Sequence, residues 1–376
     1  MRAFHAVLLL LLSHPLFAQQ PAVPNPPPIA AKAYLLADFN SGQVLVSQNP
    51  HQRIEPASLT KLMTAYLTFA ALRQKTLKPE QIVTVSVRAW KSEGSRMFIE
   101  PDKPVSVEEL LKGLIVHSGN DACVALAEVV AGTEEVFARM MNREAQRLGM
   151  KNTSFVNSTG LSHPQHYTTA YDLSLLASAI IRDFPEYYPY YSMKEYRYNN
   201  ITQSNRNRLL WLDQTVDGMK TGYTENAGYC LIASVRRGVR RLVSVVLGAN
   251  SESARATESQ KLLNYGVQFY DTVRLYEKNQ AVSTVKVWKG SNNQAKTGFP
   301  YDLYLSVPKG AADKLKASME TQQPLLAPIA AGQKIGVLRV ELDGKPYAEF
   351  PVVALEEVPL AGIFGRGWDS LRLLFK

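Results

Sequence analysis

The sequence predicts an α/β (α+β) domain with an antiparallel sheet and a helical subdomain, then a small all-β domain and a C-terminal amphipathic helix. Residues 31–271 begin with strand-like runs, continue through a mainly helical block, and end with strands and a closing helix. That order predicts one sheet built from both ends of the segment and flanked by helices. In residues 272–357, short apolar runs alternate with turn residues, as in all-β domains.

Length and charge limit the function classes. The chain has 376 residues, too many for one ordinary core, and a formal net charge of +9. This basic excess suits an anionic surface such as lipid headgroups. There is no long Lys/Arg block and no nucleic-acid-binding signature, so we expect no nucleic-acid partner.

The N-terminus has the features of an export signal. In residues 1–18, Arg2 supplies the positive charge, residues 7–12 are apolar, and Leu16-Phe17-Ala18 is a plausible cleavage site. The apolar run is too short to span a bilayer. Residues 19–30 are proline-rich and predict a stiff, extended lead-in. The predicted location is therefore the periplasm.

Cysteine and histidine content argues against a metal or cofactor. Export would permit a disulfide between Cys123 and Cys230, but two buried thiols are the default expectation. His163 and His166 form an H-x-x-H pair in a loop-like segment, without further ligands clustered nearby. We predict no metal and no cofactor, and make no prediction of oligomeric state.

Periodicity and capping signals place the elements of residues 31–271. Ser106 and Glu109 form a capping box, which predicts a helix start. Gly149 ends one helix, and Pro185 stops another. The predicted elements are strands 33–39 and 43–47, helix 58–72, strand 81–87, helices 106–116, 120–130, 134–148 and 169–183, strands 209–212, 228–235 and 240–247, and helix 257–269.

The remaining residues predict four clear strands and the terminal helix. Asp343-Gly344 predicts a hairpin turn between two of these strands, which cover 282–288, 303–307, 334–342 and 347–354. Residues 358–376 form the predicted anchor. Its apolar face suits the inner-membrane surface, although it could also pack on the protein itself. Leu360, Phe364, Trp368, Leu371 and Phe375 share one helical face, and Arg366, Asp369, Arg372 and Lys376 the opposite one.

Three short motifs carry the chemistry. Ser58 and Lys61 are three residues apart at the start of a predicted helix, so they share a face, with a hydroxyl beside an amine. Alone, this pattern is also that of a helix cap followed by an exposed lysine. Ser118-Gly119-Asn120 and Lys220-Thr221-Gly222 follow in order. Individually these two could be turns, but the ordered set is typical of penicillin-binding proteins and class A β-lactamases.

The chain resembles the D-alanyl-D-alanine carboxypeptidases, which are low-molecular-mass penicillin-binding proteins. The resemblance covers nearly all of the chain and includes 55–64, 117–122, 205–207, 216–224 and 362–368. It implies a serine-peptidase/β-lactamase-like fold. The implied substrate is the D-Ala-D-Ala end of the peptidoglycan stem peptide, and β-lactam antibiotics should acylate the same serine.

The resemblance also implies roles for the motif residues. Ser58 would attack the carbonyl between the two D-alanines, and Lys61 would take its proton, with a pKa lowered by burial and by Lys220. Ser118 would pass a proton to the leaving D-alanine, and Asn120 would bind Lys61 and the substrate amide.

The third motif would bind the substrate. Lys220 and Thr221 would hold the terminal carboxylate, and Gly222 would let the strand approach it. The backbone N–H groups of Ser58 and Tyr223 would hold the oxyanion. Tyr223 departs from the histidine that close relatives often carry, and Arg255 is a candidate second cation for the carboxylate.

Three other classes of protein are compatible with parts of this sequence. A class A β-lactamase would need a deacylating glutamate, and Glu195 to Asn199 matches its E-x-x-x-N spacing, although this Tyr-rich segment lies much nearer Lys220 than Ser118. A D,D-endopeptidase shares all three motifs. A non-catalytic peptidoglycan-binding protein should have a broken motif, and all three are intact.

Overall fold

The computed structural model describes residues 23–374. The predicted export signal and the last two residues of the predicted anchor lie outside this range. The helices are α1 Lys61–Arg73, α2 Val87–Trp90, α3 Val107–Lys112, α4 Asn120–Ala131, α5 Glu134–Arg147, α6 Ala170–Asp183, α7 Leu209–Leu212, α8 Glu252–Phe269 and α9 Ile363–Leu373. Short 3-10 or π turns cover Ala57–Thr60, Gly113–His117, Tyr188–Ser192 and Ala312–Lys314.

The strands fall into a main sheet, the β domain and two small two-stranded sheets, β3-β4 and β5-β6. They are β1 Ala33–Asp38, β2 Val44–Gln48, β3 Ile82–Val83, β4 Val105–Ser106, β5 Glu195–Tyr198, β6 Ile201–Ser204, β7 Val216–Thr224, β8 Gly228–Arg237, β9 Arg240–Ala249, β10 Tyr270–Tyr276, β11 Ala281–Trp288, β12 Gln294–Gly298, β13 Leu303–Pro308, β14 Leu315–Thr321, β15 Leu325–Leu326, β16 Lys334–Leu342 and β17 Lys345–Ala354.

The main sheet has five antiparallel strands in the order β2-β1-β9-β8-β7, which confirms the prediction that it is built from both ends of the first domain. Alternate residues of its strands serve two different cores, because successive side chains point to opposite faces. Leu35 packs with the helical block, whereas Leu36 packs with α8. The sheet is therefore covered on both faces, and its edge strand β7 is available to the site.

One predicted strand is wrong, and another is shorter than predicted. Residues 209–212 form the short helix α7, because Asn207 Oδ1 accepts a hydrogen bond from the Leu209 N–H and turns the chain. Of residues 81–87, only Ile82–Val83 pair as a strand. Ser86 Oγ then accepts from the Ala89 N–H and caps helix α2. In both places local polar caps outweigh the β-propensity of an apolar run.

The sequence also failed to predict the full extent of β7. Lys220-Thr221-Gly222 had the character of a turn entering a strand, but it lies inside the nine-residue strand Val216–Thr224. The strand pairs on one side with β8, Lys220 opposite Ile232. An edge position tolerates glycines that would weaken a central strand. The third motif therefore has a rigid backbone.

The second domain contains a six-stranded sheet, in the order β14-β16-β17-β12-β11-β15, and the β10–β13 pair. The hairpin predicted at Asp343-Gly344 is confirmed, with φ of 56° and 75° at the two turn residues. Ser306 contacts the first domain, since its hydroxyl lies 2.7 Å from Ser41 Oγ and its N–H donates to Gln43 Oε1 at 2.6 Å. These bonds connect the two domains through the β1–β2 turn.

Helix α9 presents its apolar side chains to solvent. Phe364 is 95% exposed, and none of the residues of α9 is buried. On the polar face, Asp369 Oδ2 accepts a hydrogen bond from the Lys289 N–H at 2.6 Å, which attaches the helix to the β domain. None of the helices between residues 23 and 374 combines the length and the hydrophobicity that a membrane span requires.

Candidate active site

Ser58 lies on a 3-10 turn, Ala57–Thr60, that leads into α1. Ala57 has a φ of 48°, a left-handed conformation unusual for a residue with a side chain. Gly160 packs against this turn so closely that a Cβ on it would lie 1.8 Å from Ala57 O. Ser58 is partly exposed, and Lys61 Nζ lies 3.0 Å from its Oγ. The serine and lysine therefore share a face, as their spacing predicts.

The Lys61 amine is fully buried and has three partners. Nζ contacts Ser58 Oγ at 3.0 Å, Asn120 Oδ1 at 2.7 Å and the Thr159 carbonyl at 2.6 Å. Asn120 Oδ1 and the carbonyl can only accept hydrogen bonds, so they orient two N–H bonds of the lysine. When the amine is neutral, its lone pair is left facing Ser58 Oγ. This geometry suits proton transfer from serine to lysine.

The pKa of Lys61 is lowered, first by burial and next by the positive charge of Arg206. Cys123 and Asp121 act in the opposite direction. The sequence named Lys220 as the cation responsible. Arg206 is a further cation that acts on Lys61, and the repulsion between Lys61 and Lys220 depresses the pKa of Lys220. Burial is the larger cause for both lysines, because desolvation penalises the charged form.

The second motif begins where the helical chain breaks. The predicted helix over 106–116 continues past α3 as a π turn, Gly113–His117, and ends at Ser118, whose φ is 62°. This strained conformation, which costs about 1–3 kcal/mol, directs the hydroxyl toward β7. Lys220 Nζ donates to Ser118 Oγ at 3.0 Å. The pKa of Lys220 lies well below its ordinary value because the side chain is buried and Lys61 is near.

The two residues after Gly119 organise the neighbouring loop. Asn120 Nδ2 donates to the Glu93 carbonyl at 2.6 Å, which fixes its Oδ1 toward Lys61. The buried carboxylate of Asp121 accepts hydrogen bonds from the N–H groups of Met97, Phe98 and Ile99. The second motif therefore holds both Lys61 and residues 93–99.

Strand β7 passes close to the 3-10 turn Ala57–Thr60, which we call the Ser58 turn. A Cβ on Gly222 would lie 3.1 Å from the Pro56 carbonyl, so glycine permits this approach. Tyr223 is 50% exposed, and its ring centroid lies 4.4 Å from that of Tyr229. Arg255 is buried, and its guanidinium lies 5.6 Å from the Tyr229 ring centroid and 3.4 Å from Gly222 O.

These elements enclose what we call the Ser58 cavity, of about 200 Å³. Lys61 and Lys220 lie buried behind its wall. Sequence reasoning gave no role to Arg206 or Thr159, although the segment Asn205-Arg206-Asn207 contributed to the resemblance. The lining residues are Ser58, Gly94, Ser95, Ser118, Asn120, Thr159, Gly160, Leu161, Arg206, Thr221, Gly222, Tyr223, Thr224 and Arg255.

The other residues considered as functional candidates in the sequence do not line the Ser58 cavity. Glu195 is an exposed residue of strand β5 and does not line the Ser58 cavity, which argues against its use as a deacylating base. His166 is buried, with Nε2 2.8 Å from Thr60 Oγ1, and therefore stabilises the 3-10 turn that precedes α1. Cys123 and Cys230 are buried free thiols, so the default expectation for them is confirmed.

Fold and site together are those of a serine hydrolase, with a buried lysine amine 3.0 Å from the serine hydroxyl. Residues 19–251 match the D-alanyl-D-alanine carboxypeptidase family of peptidases, and residues 270–360 match the C-terminal domain of penicillin-binding protein 5. The chain therefore belongs to the D-alanyl-D-alanine carboxypeptidase family. The predicted family and fold class are confirmed.

Individual relatives match most of the chain, two of them almost end to end. D-alanyl-D-alanine carboxypeptidase DacC of Escherichia coli is 41% identical, over 98% of this chain and 94% of its own length. Penicillin-binding protein 5 of Haemophilus influenzae superposes with a TM-score of 0.86 at 42% identity, covering 89% of this chain and 99% of that structure. Penicillin-binding protein D2 of Listeria monocytogenes, solved with ampicillin bound, has a TM-score of 0.59 at 31% identity. The match covers 64% of this chain and 98% of that structure.

Proposed function

We propose that this protein is a serine-type D-Ala-D-Ala carboxypeptidase that removes the terminal D-alanine from peptidoglycan stem pentapeptides. The observation that carries the proposal is the pair of buried lysines, each 3.0 Å from a serine hydroxyl at one cavity. Family membership supplies the substrate class. The geometry supplies a nucleophile, a base and a second proton path.

In the first step, Ser58 Oγ attacks the carbonyl carbon between the two D-alanines. Its proton passes to the neutral amine of Lys61, and a tetrahedral oxyanion forms. The N–H groups of Ser58 and Tyr223 hold this oxyanion, and such donors are worth about 3–4 kcal/mol of barrier each. Burial of Lys61 supports the step, because it increases the fraction of neutral amine at physiological pH.

Collapse of this intermediate breaks the C–N bond. Ser118 donates its hydroxyl proton to the leaving nitrogen and regains one through the contact with Lys220. Lys220, Thr221 and Arg255 hold the terminal carboxylate, a role for cations beside a hydroxyl. Arg206, which lines the same cavity, adds positive charge there. Water then attacks the acyl carbonyl and gives one proton back to Lys220 through Ser118, while Lys61 returns its proton to Ser58 Oγ as the ester bond breaks and the shortened peptide leaves.

The same serine is the proposed target of β-lactam antibiotics. A strained β-lactam amide resembles the D-Ala-D-Ala bond, and its opening leaves an acyl group on Ser58 Oγ. The family includes a protein solved with ampicillin bound, which supports this proposal. The residue after Lys-Thr-Gly is Tyr223 instead of histidine, so the rate of deacylation is expected to be specific to this chain.

The proposed location is the periplasm, with the chain held on the inner-membrane surface by residues 358–376. Exposure of Phe364, Trp368 and Leu371 on helix α9 supports an interfacial helix. We place the peptidase domain at 31–271 and the β domain at 272–357. The β domain would then act as a spacer between membrane and active site.

The test is release of D-alanine from diacetyl-Lys-D-Ala-D-Ala by the wild-type chain and by S58A. We expect release by the wild type and none by the variant, with Ser253→Ala, on the exposed first turn of α8, as a matched control. Penicillin should add one acyl group, which peptide mapping must place on Ser58. Equal release by S58A would overturn the mechanism. Cleavage of cross-linked dimers with no D-alanine release would favour the endopeptidase.

A further inference from the structure

A second cavity adjoins the Ser58 cavity along one loop. Gly94 and Ser95 line the Ser58 cavity, and the next residues of the same loop line a cavity of about 450 Å³. We call this second cavity the loop subsite and define it by Trp90, Arg96, Phe98, Glu100 and Asp102. Ser95 of the Ser58 cavity and Arg96 of the loop subsite are consecutive residues with Cα atoms about 3.8 Å apart, so the two cavities border the same stretch of loop.

The loop subsite is rigidly attached to the catalytic machinery. Asp121, adjacent to Asn120, accepts the N–H groups of Phe98 at 2.8 Å and Ile99 at 3.2 Å. On the other side, Gln203 Nε2 donates to the Arg96 carbonyl at 3.0 Å. The backbone of the subsite is therefore fixed by Asp121, the neighbour of the Lys61 partner Asn120, and by the β5–β6 hairpin.

Phe98 is held in an unfavourable conformation that exposes its ring. Its φ is 69°, in the left-handed region that bulky side chains avoid, and its side chain is 39% exposed. The bonds from Asp121 stabilise this conformation, which would otherwise be strained. Trp90, 41% exposed, provides a second aromatic surface in the same cavity. Two exposed aromatic rings at such a place indicate a binding surface for aliphatic groups.

The subsite carries charges of both signs. The Arg96 guanidinium lies 5.4 Å from the Phe98 ring centroid, and within the described part of the chain it forms no salt bridge. Glu100 Oε1 is engaged by Lys103 and Asn199, which hold the pKa of Glu100 below its ordinary value. The second oxygen of Glu100 and the exposed carboxylate of Asp102 remain open to the cavity.

We propose that the loop subsite binds the side chain of the residue that precedes the two D-alanines, and selects a long aliphatic side chain ending in both a carboxylate and an ammonium. Arg96 pairs with the carboxylate, Glu100 and Asp102 with the ammonium, and Trp90 and Phe98 cover the methylene groups. The inference rests on the proposed function, because the Ser58 cavity must hold the scissile peptide bond.

The test compares three matched peptides that differ only at this residue: 2,6-diaminopimelate, lysine and alanine. The full wild-type chain should release D-alanine with kcat/KM in the order diaminopimelate, lysine, alanine. R96Q should lower kcat/KM about tenfold for the diaminopimelate peptide and leave the lysine peptide within twofold. F98A should weaken both long side chains and leave the alanine peptide unchanged.

Controls separate this proposal from the proposed function. R236Q removes an exposed arginine that lines a different cavity and should keep the wild-type order. Penicillin acylation of Ser58 in R96Q and F98A at the wild-type rate would show that both variants fold. An equal rate for all three peptides, or an unchanged preference in R96Q, would overturn the subsite. No D-alanine release from any peptide by the wild type would instead overturn the carboxypeptidase.

Discussion

The ammonium of Lys220 donates to the hydroxyl of Ser118 at 3.0 Å, across 102 residues of chain. Lys61 contacts Ser58 at the same distance within one turn of helix. The site thus holds two serine–lysine pairs, one local and one formed only by the fold. Burial lowers the pKa of both amines, so each gives up its proton more readily than an exposed lysine does.

Replacing Ser118 by alanine should block proton delivery to the leaving group. We expect kcat for D-alanine release to fall at least about 100-fold, the usual contribution of a positioned acid. Stopped-flow acylation by a fluorescent penicillin measures the same step. Ser174→Ala, which removes a buried hydroxyl of α6, is the matched control. A Ser118→Ala variant with wild-type kcat would show that Lys220 does not act through this hydroxyl.

Activity should decline in acid, because Lys61 must be neutral to accept the Ser58 proton. As pH falls through the lowered pKa of Lys61, the amine becomes protonated and acylation slows. Arg206→Gln removes a cation that depresses this pKa, so the pKa should rise and the acidic limb should move to higher pH. The measurement is kcat/KM against pH.

The control for this pH experiment is Arg236→Gln, since the pKa of Lys61 does not depend on that distant arginine. Arg206→Gln is also expected to raise KM, because Arg206 lines the Ser58 cavity. For this reason the decisive quantity is the pH at the midpoint of the acidic limb of the kcat/KM profile, and not the height of the profile. A midpoint that stays in place, or moves to lower pH, would contradict the electrostatic assignment.

Gly160→Ala should destabilise the Ser58 turn. The new Cβ would lie 1.8 Å from the Ala57 carbonyl at a φ of 88°, so backbone must move. We expect a loss of about 2–4 kcal/mol in the free energy of unfolding, together with slower acylation. Gly42→Ala has a similar φ of 72° with nothing within 4 Å, and should cost only about 1 kcal/mol. Equal losses in urea titrations would show that the close contact is unimportant.

Phe364→Glu should weaken membrane binding without affecting the fold. Phe364 is 95% exposed, so the substitution removes almost no buried contact, but it places a charge on the apolar face of α9. Sedimentation with anionic vesicles should show at least about a tenfold loss of binding, with Tm unchanged. Tyr301→Glu, a 48% exposed residue of the β domain, is the control. Unchanged sedimentation of the Phe364 variant would argue against an interfacial helix.

Local patterns in the sequence were sufficient for much of the fold. Helix caps, hairpin turns and period-2 or 3.6 runs depend on residues near each other, so the capping box at Ser106 and the turn at Asp343 were predicted correctly. The apolar run at 209–212 was misassigned as a strand because its periodicity is too short to distinguish strand from helix. Strand β7 was not predicted over its full length, because its two glycines and two charged residues interrupt the alternation of apolar and polar residues that is typical of a strand.

The sequence by itself determined the reactive groups: a serine three residues before a lysine, and two further motifs in a fixed order. Only the tertiary structure decided their electrostatics. Burial and Arg206 lower the pKa of Lys61, and neither is readable from spacing. The partners of Lys61, Asn120 and Thr159, are 59 and 98 residues away. Desolvation and long-range contacts depend on how helices and sheet pack, and packing is a property of the whole chain.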